Sequence, residues 1–362
     1  MFACFTLTLV TLSACGSGDS NLLGVAGQPT ETASVEGTNE STYTPAKEIP
    51  TTTPIPAAFG RIIFVSNREG QMDLFITSPD GVQTSKLINN IAEDTTPRLS
   101  PDGTRVAFVS TANNNTDIYI LDLASGAVNQ VTNAPEKDSS PTWSPDSRQL
   151  AFESFRDGNF EIYITNTDGS NQYRLTNDPA GDSNPVWSPT SNEIAFVSNR
   201  FGNADILLTN TSGTIFTLTT NPAPDNAPAW SPDGNLIAFQ TFSGELSNLC
   251  LIGRDGLNSR CVTTNPMQYS SAVWSPDGAW LASSGSSEIF LFNIFDSTLK
   301  QISAPNIEPR GAPAFSPDGL RLVFQAQFNS DMEIFYALIP TNEFIQLTTS
   351  SGYDGEAVWA NQ

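Results

Sequence analysis

The sequence predicts an all-β fold, a seven-bladed β-propeller of four-stranded blades that closes by pairing its C-terminal strand with its N-terminal strands. The main observation is a repeat: seven short aromatic or apolar anchors, most of them within a Ser-Pro-Asp-Gly context, recur at intervals of 41 to 44 residues. A period in the low forties with strand-like segments is typical of a propeller blade. The anchor residues are Leu99, Trp143, Trp187, Trp230, Trp274, Phe315 and Trp359.

Each repeat contains the same four strand-like segments. The anchor strand leads through the turn into a run such as VAFVS, beginning at Val106, which is apolar at nearly every position. A continuous apolar run indicates a strand that is covered on both faces, as it is between neighbouring blades. An Asp/Glu-Ile-Tyr-like strand, a second turn and a strand ending in Leu-Thr complete the unit.

The two ends of the repeat region are complementary. The unit around Ile62 has no anchor strand before it, and the anchor at Trp359 has no strand after it. Pairing these halves in one sheet would complete a blade, give seven blades over residues 60–362 and remove an exposed sheet edge. A propeller with a different number of blades would leave one of the units unplaced.

The anchors and the (D/E)IYxxxxDG phrase resemble the repeats of TolB-like (WD40-like, PD40-type) β-propellers, which occur in cell-envelope proteins and in the non-catalytic domain of prolyl oligopeptidases. The resemblance extends over all of residues 60–362. It implies a protein outside the cytoplasm that binds an envelope protein or peptide. Propellers of this kind have many different functions, so the resemblance does not identify the binding residues of this chain.

The first fifteen residues, MFACFTLTLVTLSAC, resemble the lipobox signal peptide of bacterial lipoproteins, although no lysine or arginine precedes the apolar run. The resemblance implies that Cys15 becomes the lipid-modified first residue and anchors the protein to a bacterial membrane, in the periplasm or at the cell surface. Residues 16–59, rich in threonine, serine, proline and glycine, are expected to form a disordered tether. For residues 1–15, the alternative to a signal peptide is an ordinary buried N-terminal strand.

The composition narrows the possible chemistry. The chain of 362 residues has no histidine, and its 16 basic and 38 acidic residues give a net charge of −22. Histidine is the commonest general base, and a strongly negative protein repels nucleic acid. The sequence also lacks GxSxG, P-loop, CxxC and HExxH motifs. We therefore expect a non-catalytic, monomeric protein that binds a protein or peptide and no nucleic acid.

Two repeated polar positions are predicted to be structural. In the Ser-Pro-Asp-Gly turn, proline fixes φ and glycine accepts a positive φ, so Ser231 and Asp233 are expected to form a turn rather than an active site. The first position of the third strand is acidic in six of the seven repeats. We expect these carboxylates to accept backbone N–H groups of the preceding loop.

A third acidic position lies five residues before the anchor, where the chain enters the innermost strand. Its five carboxylates are placed around one mouth of the central channel, where the regular position favours a loop-capping role. The functional alternative is that they bind a cation, such as calcium, or a basic peptide. These residues are Asp94, Asp138, Asp182, Asp225 and Asp354. The same acids would serve the alternative function, a carbohydrate-binding or carbohydrate-active propeller.

The alternating strand direction places further side chains on the face that carries these acids. They follow the second strand of each blade and are Phe155, Phe201, Phe242 and Phe328, with Arg68, Arg156 and Arg200. Exposed aromatic and arginine side chains are frequent in interfaces. The alternative is that they cover their own loops.

The repeat is interrupted at two neighbouring positions. Tyr269 and Arg310 replace the aspartate, and Met267, Gln268 and Glu308 lie beside them in the sequence. Residues that recur in every blade serve every blade alike, so a specific site is expected where the repeat is broken. The sequence therefore predicts a binding patch on blades 5 to 7.

The two cysteines of the repeat region flank a predicted turn at Asp255 and Gly256. This spacing places Cys250 and Cys261 opposite each other on paired strands. In an exported protein they are predicted to form a disulfide. The alternative is a pair of free buried thiols.

Overall fold

The computed structural model describes residues 60–360 and confirms the seven-bladed all-β propeller. It contains seven sheets of four antiparallel strands, and adjacent innermost strands contact each other around the ring. The predicted signal peptide, Cys15 and the tether of residues 16–59 lie outside the described residues. Within residues 60–360, no helix is long and apolar enough to cross a membrane.

The blades are numbered from the one that contains the N-terminal strands. The innermost strands of blades 1 to 7 are β28 (Asp354–Ala360), β4 (Asp94–Leu99), β8 (Asp138–Trp143), β12 (Asp182–Trp187), β16 (Asp225–Trp230), β20 (Val273–Trp274) and β24 (Glu308–Phe315). The second strands are β1 (Arg61–Ser66), β5 (Arg105–Ser110), β9 (Gln149–Ser154), β13 (Glu193–Ser198), β17 (Leu236–Ser243), β21 (Trp280–Gly285) and β25 (Arg321–Phe328).

The outer half of each blade completes the sheet. The third strands are β2 (Asp73–Thr77), β6 (Asp117–Asp122), β10 (Glu161–Asn166), β14 (Asp205–Asn210), β18 (Leu246–Gly253), β22 (Glu288–Asn293) and β26 (Asp331–Leu338). The outermost strands are short: β3 (Thr84–Lys86), β7 (Val128–Gln130), β11 (Tyr173–Arg174), β15 (Ile215–Thr217), β19 (Arg260–Cys261), β23 (Leu299–Ile302) and β27 (Glu343–Gln346). A short 3₁₀ turn, Ala112–Asn114, follows β5.

Blade 1 closes the ring in the predicted way. β28 pairs antiparallel with β1, so that Trp359 lies opposite Ile62 and Ala360 opposite Arg61. The C-terminal anchor strand thereby supplies the inner strand that β1 to β3 lack. Closure leaves no long unpaired edge on the inner side of blade 1.

The hydrophobic core is divided into clusters between neighbouring blades. Ile162 of blade 3, for example, packs in one cluster with Trp187 and Phe196 of blade 4. All three side chains are buried. Because each sheet is covered on both faces by its neighbours, the second and third strands are apolar at consecutive positions.

Strand direction divides the propeller into two faces. The turn face carries the Ser-Pro-Asp-Gly turns, in which Ser231 donates to Asp233 at 2.6 Å and accepts the N–H of Leu236 at 2.9 Å. These bonds close the turn, as expected for a structural role. The loop face carries the connections between second and third strands and those that lead into the next blade. The predicted site residues lie on the loop face.

Candidate functional site

The five repeated aspartates lie on the loop face, but their side chains are buried. In blade 3, both carboxylate oxygens of Asp138 accept hydrogen bonds from Nη2 of Arg156, at 3.1 and 2.9 Å. Arg156 also donates from Nε to Ser154 Oγ at 2.7 Å, and its guanidinium lies 4.4 Å from the centre of the Tyr163 ring. The arginine is thus held by the blade on three sides.

The same arrangement recurs in blades 4 and 1. Arg200 donates to Asp182 at 2.7 Å, and Arg68 donates to Asp354 at 2.9 Å. Each arginine stands two residues after the last serine of the second strand. These half-buried arginines therefore neutralise three of the five repeated aspartates. The Ser-x-Arg spacing was the sequence signal for the pairing.

Asp94 and Asp225 have no arginine partner within residues 60–360. Asp94 accepts hydrogen bonds from Ser110 at 2.5 Å and Asn90 at 3.0 Å, and burial raises its pKa to about 6. Asp225 accepts one from Asn221 at 2.6 Å, and burial raises its pKa as well. In this part of the chain, no group of three or more acidic or cysteine side chains is placed to hold one metal ion. The five carboxylates make contacts of the loop-capping kind and do not converge on a single ion.

The acids that begin the third strands bind a threonine hydroxyl. In blade 3, the N–H of Ile162 donates to Thr176 Oγ1 at 2.9 Å, and that hydroxyl donates to Glu161 at 2.6 Å. The same relay occurs in blades 2, 4 and 7. In blade 5 the threonine, Thr263, donates to the amide oxygen of Asn248 instead. The principal partner is the threonine of the Leu-Thr segment that ends each repeat. This segment lies beside the start of the third strand. The expectation of backbone N–H groups from the preceding loop was wrong.

The four predicted aromatic residues of the loop face differ in exposure. Phe201 is 57% exposed and Phe155 is 37% exposed, whereas Phe242 and Phe328 are half-buried. Phe328 packs edge-on against Phe335 of its own blade, with ring centres 5.6 Å apart. Phe155 packs edge-on against Phe160 in the same way, with ring centres 5.1 Å apart. Of the four, Phe201 is therefore the most exposed, while Phe155 and Phe328 cover their own blades.

A hollow of about 510 Å³ opens on the loop face where the repeat is broken. It is lined by Leu246 of blade 5, by residues 266–270 of the loop into blade 6, by residues 284–286 of blade 6 and by residues 309–311 of blade 7. The structure thus brings Tyr269 and Arg310 to one cavity, together with Met267 and Gln268.

The hollow exists because blade 6 is shorter than its neighbours on this face. β21 and β22 have six residues each and are joined by a two-residue turn with positive φ, 49° at Ser286 and 69° at Ser287, whereas the hairpins of blades 5 and 7 are built from eight-residue strands. Tyr269 packs edge-on against Phe290 and Phe292, with ring centres 5.9 and 6.0 Å away. The tyrosine ring therefore forms an apolar wall where other blades have a buried aspartate.

Arg310 and Gly285 shape the rest of the hollow. Arg310 is 49% exposed and pairs with Glu308 at 2.6 Å, so its guanidinium is accessible in a way that Arg156 is not. At Gly285, a Cβ atom would lie 3.3 Å from the sulfur of Met267. Because glycine has no side chain, the hollow stays open beside Met267.

The small residues at the end of β21 were not predicted to belong to the site. Ser283, Ser284 and Gly285 stand where other blades continue with bulkier side chains, as in LASSG against IAFVS. The Ser284 hydroxyl donates to the carbonyl of Gly311 and so links blades 6 and 7 at the hollow. This departure from the repeat was the available sequence signal.

A second cavity, also of about 510 Å³, is bounded chiefly by innermost strands of blades 2 to 6. The innermost strands of blades 2 to 5 carry a β-bulge at a residue with positive φ, such as Ser140 at 54° and Asn184 at 50°. The next residue, Pro141 or Pro185, cannot donate to the ladder, which accounts for the bulge. Glu153 accepts the N–H of Asn184 at 3.0 Å and connects blades 3 and 4.

Cys250 and Cys261 lie opposite each other on β18 and β19, and their sulfur atoms are bonded. The outermost strand of this blade consists of two residues, Arg260–Cys261. The bond therefore attaches a very short edge strand to the rest of blade 5.

The chain forms seven tandem blades, and β28 closes the ring. The sequence repeat is interrupted at the hollow. This architecture defines a β-propeller built from repeats. The chain belongs to the TolB β-propeller domain family, whose model matches residues 51–249, more than half of the chain. A comparison with functionally curated proteins finds no match.

Solved structures share the fold at low identity. TolB from Acinetobacter baumannii is 21% identical, with a TM-score of 0.56 over 85% of this chain and 68% of that chain. An oligogalacturonate lyase in complex with manganese is 15% identical, with a TM-score of 0.65 over 76% of this chain and 85% of that one. A puromycin-hydrolyzing peptidase of Mycobacterium tuberculosis is 12% identical with a TM-score of 0.65, and the match covers 82% of this chain but 55% of the peptidase. Similarity at these identities concerns the fold.

Proposed function

We propose that this protein is a non-catalytic, lipid-anchored β-propeller that binds an envelope protein or peptide outside the cytoplasm, with the hollow on blades 5 to 7 as its binding site. One observation carries the proposal: residues that are not repeated in the other blades line a cavity on the loop face. Repeated residues hold every blade, whereas these residues are free to serve one partner.

The walls of the hollow suit a peptide. Tyr269, Met267 and Leu246 offer apolar surface, Ser286 offers a hydroxyl, and Arg310 offers a half-exposed charge at the rim. Tyrosine, methionine and arginine are enriched in protein interfaces, and a small number of polar groups sets the orientation of a ligand. A segment with an apolar side chain and a carboxylate or carbonyl group would match this surface.

The location follows from the N-terminal residues. The lipobox-like residues 1–15 would place a lipid on Cys15, and residues 16–59 would connect it to a monomeric propeller. The resemblance to TolB-like propellers supports a place in the bacterial envelope. The net charge of −22 disfavours nucleic acid as a partner.

The alternative, a carbohydrate-binding or carbohydrate-active propeller, depends on accessible acids at the channel mouth. Asp138, Asp182 and Asp354 are buried against arginines, so they are poor candidates for a glycosidase pair. The likeness to an oligogalacturonate lyase concerns the fold. We therefore place this function second.

Photocrosslinking in the native bacterium tests the binding site. A photoreactive amino acid at Gln268 of the full-length protein is expected to give one dominant protein adduct, whereas the same group at the exposed Asn235 on the turn face serves as the control. Tyr269→Ala with Arg310→Ala should remove most of the Gln268 adduct. Equal adducts from both faces, or an adduct that survives the double substitution, would exclude the hollow.

Membrane fractionation tests the anchor separately. The wild-type protein is expected to sediment with membranes, and Cys15→Ser to appear in the soluble extracytoplasmic fraction. If the two proteins fractionate alike, lipidation of Cys15 is wrong, whatever the crosslinking shows.

A further inference from the structure

Beside the turn face, the anchor side chain of each blade lies in the junction with the blade before it. At the junction of blades 2 and 3, Trp143 packs in one core cluster with Ile120, and its ring centre lies 5.2 Å from the guanidinium of Arg105. Arg105 begins the second strand of blade 2 and donates to Thr167 of blade 3 at 3.2 Å. The tryptophan and the arginine together close this junction.

Two junctions lack the anchor tryptophan, and each of them contains a cavity. The anchor of blade 7 is Phe315 and that of blade 2 is Leu99. A cavity of about 600 Å³ lies between blades 6 and 7, and one of about 420 Å³ lies between blades 1 and 2. In both places a smaller anchor side chain leaves space that an indole fills at other junctions.

The two cavities have equivalent walls. Each is lined by the first residue of a second strand, by the fourth residue of a third strand, by the partner of that residue in the outermost strand, and by the glycine of the next Ser-Pro-Asp-Gly turn. These residues are Trp280, Leu291, Lys300 and Gly319 in the larger cavity, and Arg61, Ile76, Ser85 and Gly103 in the smaller one. The cavities therefore belong to the blade junction itself and differ in the side chains that it contains.

The larger cavity has mostly apolar walls. The rings of Phe315 and Trp280 line it together with the side chains of Leu291 and Ile339. Phe315 is half-buried, whereas Trp143 in the equivalent position of blade 3 is only 7% exposed. Cavities of roughly 300–1,000 Å³ with aromatic and aliphatic walls and a few polar groups are typical of small-molecule sites. The open space beside Phe315 therefore suits a planar ring.

Lys300 supplies a positive charge to this cavity. Its ammonium group donates to the backbone carbonyl of Ile339 and so bridges blades 6 and 7. In blade 4 the uncharged hydroxyl of Tyr173 makes the same bridge, to the carbonyl of Thr211 in the next blade at 3.2 Å. The bridge therefore does not require a charge. Because an ammonium group has three N–H donors, Lys300 can also donate to a ligand.

The acidic residues of the cavity do not neutralise Lys300. Asp277 and Asp318 each accept the backbone N–H two residues further along their own turn, at 3.0 Å. Asp318 also pairs with Arg321 at 2.8 Å. No carboxylate of residues 60–360 contributes to the pKa of Lys300, which burial lowers. The carboxylate of a ligand would supply the missing counter-charge.

We propose that the cavity between blades 6 and 7 binds a small aromatic carboxylate. The ring of the ligand lies between Phe315, Trp280 and Leu291, in the space that an anchor indole fills at other junctions, and its carboxylate accepts a hydrogen bond from Lys300. The site lies beside the turn face, whereas the hollow opens on the loop face. It does not depend on the proposed function.

Calorimetric titration of the full-length protein at neutral pH tests the site. Indole-3-propionate is expected to bind at one saturable site per chain, whereas tryptamine, which has the same ring but an ammonium group, should bind roughly tenfold more weakly. Phe315→Trp places an indole of the protein itself in the cavity and should abolish the binding. Leu99→Trp fills the equivalent cavity between blades 1 and 2 and is the matched control, which should bind like the wild type.

A second variant covers the case in which Phe315→Trp fails to fold. Lys300→Met keeps an unbranched apolar side chain but removes the charge, so the preference for indole-3-propionate over tryptamine should disappear. The proposal is overturned if the wild-type protein shows no saturable binding of indole-3-propionate, or if tryptamine binds as tightly. Binding that persists in Phe315→Trp or disappears in Leu99→Trp, or a preference that survives Lys300→Met, would also overturn it.

Discussion

The indole Nε1 of Trp230 donates a hydrogen bond to the backbone carbonyl of Val186 in the preceding blade, at 3.0 Å. Trp143, Trp274 and Trp359 make the corresponding bond to the blade before them. The repeated tryptophan therefore does more than fill space between sheets. It joins each of these blades to its neighbour at a defined register.

Removing this hydrogen bond should weaken the propeller. Trp230→Phe keeps an aromatic ring but leaves the carbonyl of Val186 without its donor, so the free energy of unfolding should fall by about 1–2 kcal/mol beyond the packing loss. Trp187→Phe is the matched control, because Trp187 has the same place in blade 4 but its Nε1 has no partner among the described residues. Urea unfolding measures both variants. Equal losses would show that the bond contributes nothing.

Breaking one arginine–aspartate pair should cost more. Arg156→Met leaves the buried carboxylate of Asp138 uncompensated, and the free energy of unfolding should drop by about 3–5 kcal/mol. Adding Asp138→Asn to this variant should recover a large part of the loss, since the buried charge is then gone. Chemical denaturation of the two variants is the measurement, and a double variant no more stable than the single one would contradict the explanation.

The stability of the protein should depend on pH through Glu333. Burial is the main cause that raises its pKa from 4.5 to about 7. Between about pH 4.5 and pH 7, the folded protein therefore keeps a proton on Glu333 that the unfolded chain has lost. The stability that this proton contributes is complete below about pH 4.5 and is lost as the pH rises through about 7. Glu333→Gln stays neutral, so it should be more stable than the wild type at pH 8, by roughly 2–4 kcal/mol, and the difference should shrink towards pH 5.

Thermal or urea unfolding from pH 5 to pH 8 checks this behaviour. Glu288→Gln is the control, because Glu288 begins the third strand of blade 6 but faces a junction without the repeated aspartate. It removes a carboxyl group from the same repeat position and so controls for the substitution itself. If the stability of Glu333→Gln runs parallel to that of the wild type from pH 5 to pH 8, another group controls the titration.

The bond between Cys250 and Cys261 should stabilise blade 5. Replacing both by serine should lower the free energy of unfolding by about 2–3 kcal/mol, since the closed loop is short. Alkylation without a reductant should leave the mass of the mature repeat region unchanged. Two alkylated thiols in protein isolated from the native cell would show that the disulfide does not form there.

The sequence predicts those features of the structure that its repeat pattern encodes. Its spacing counts the blades and exposes the ring closure, and its interruptions at Tyr269 and Arg310 point to the hollow. The depth of that hollow depends on the relative lengths of three hairpins, which no single motif contains. The burial of Asp138 depends on the direction of the Arg156 side chain, so an apparently accessible acidic ring was a natural expectation. Comparing which blades contain both residues would have suggested the pairing.

The closure of blade 1 also determines the order in which the propeller can be completed. Because β28 follows all of β1 to β27 in the chain, β1 leaves the ribosome without its inner partner and keeps an unpaired edge, from Arg61 to Ser66, until Asp354–Ala360 exists. Such an apolar edge is a template for pairing with another chain. The nascent protein is thus most exposed to misassembly at its N-terminal blade, and its final seven described residues end that exposure.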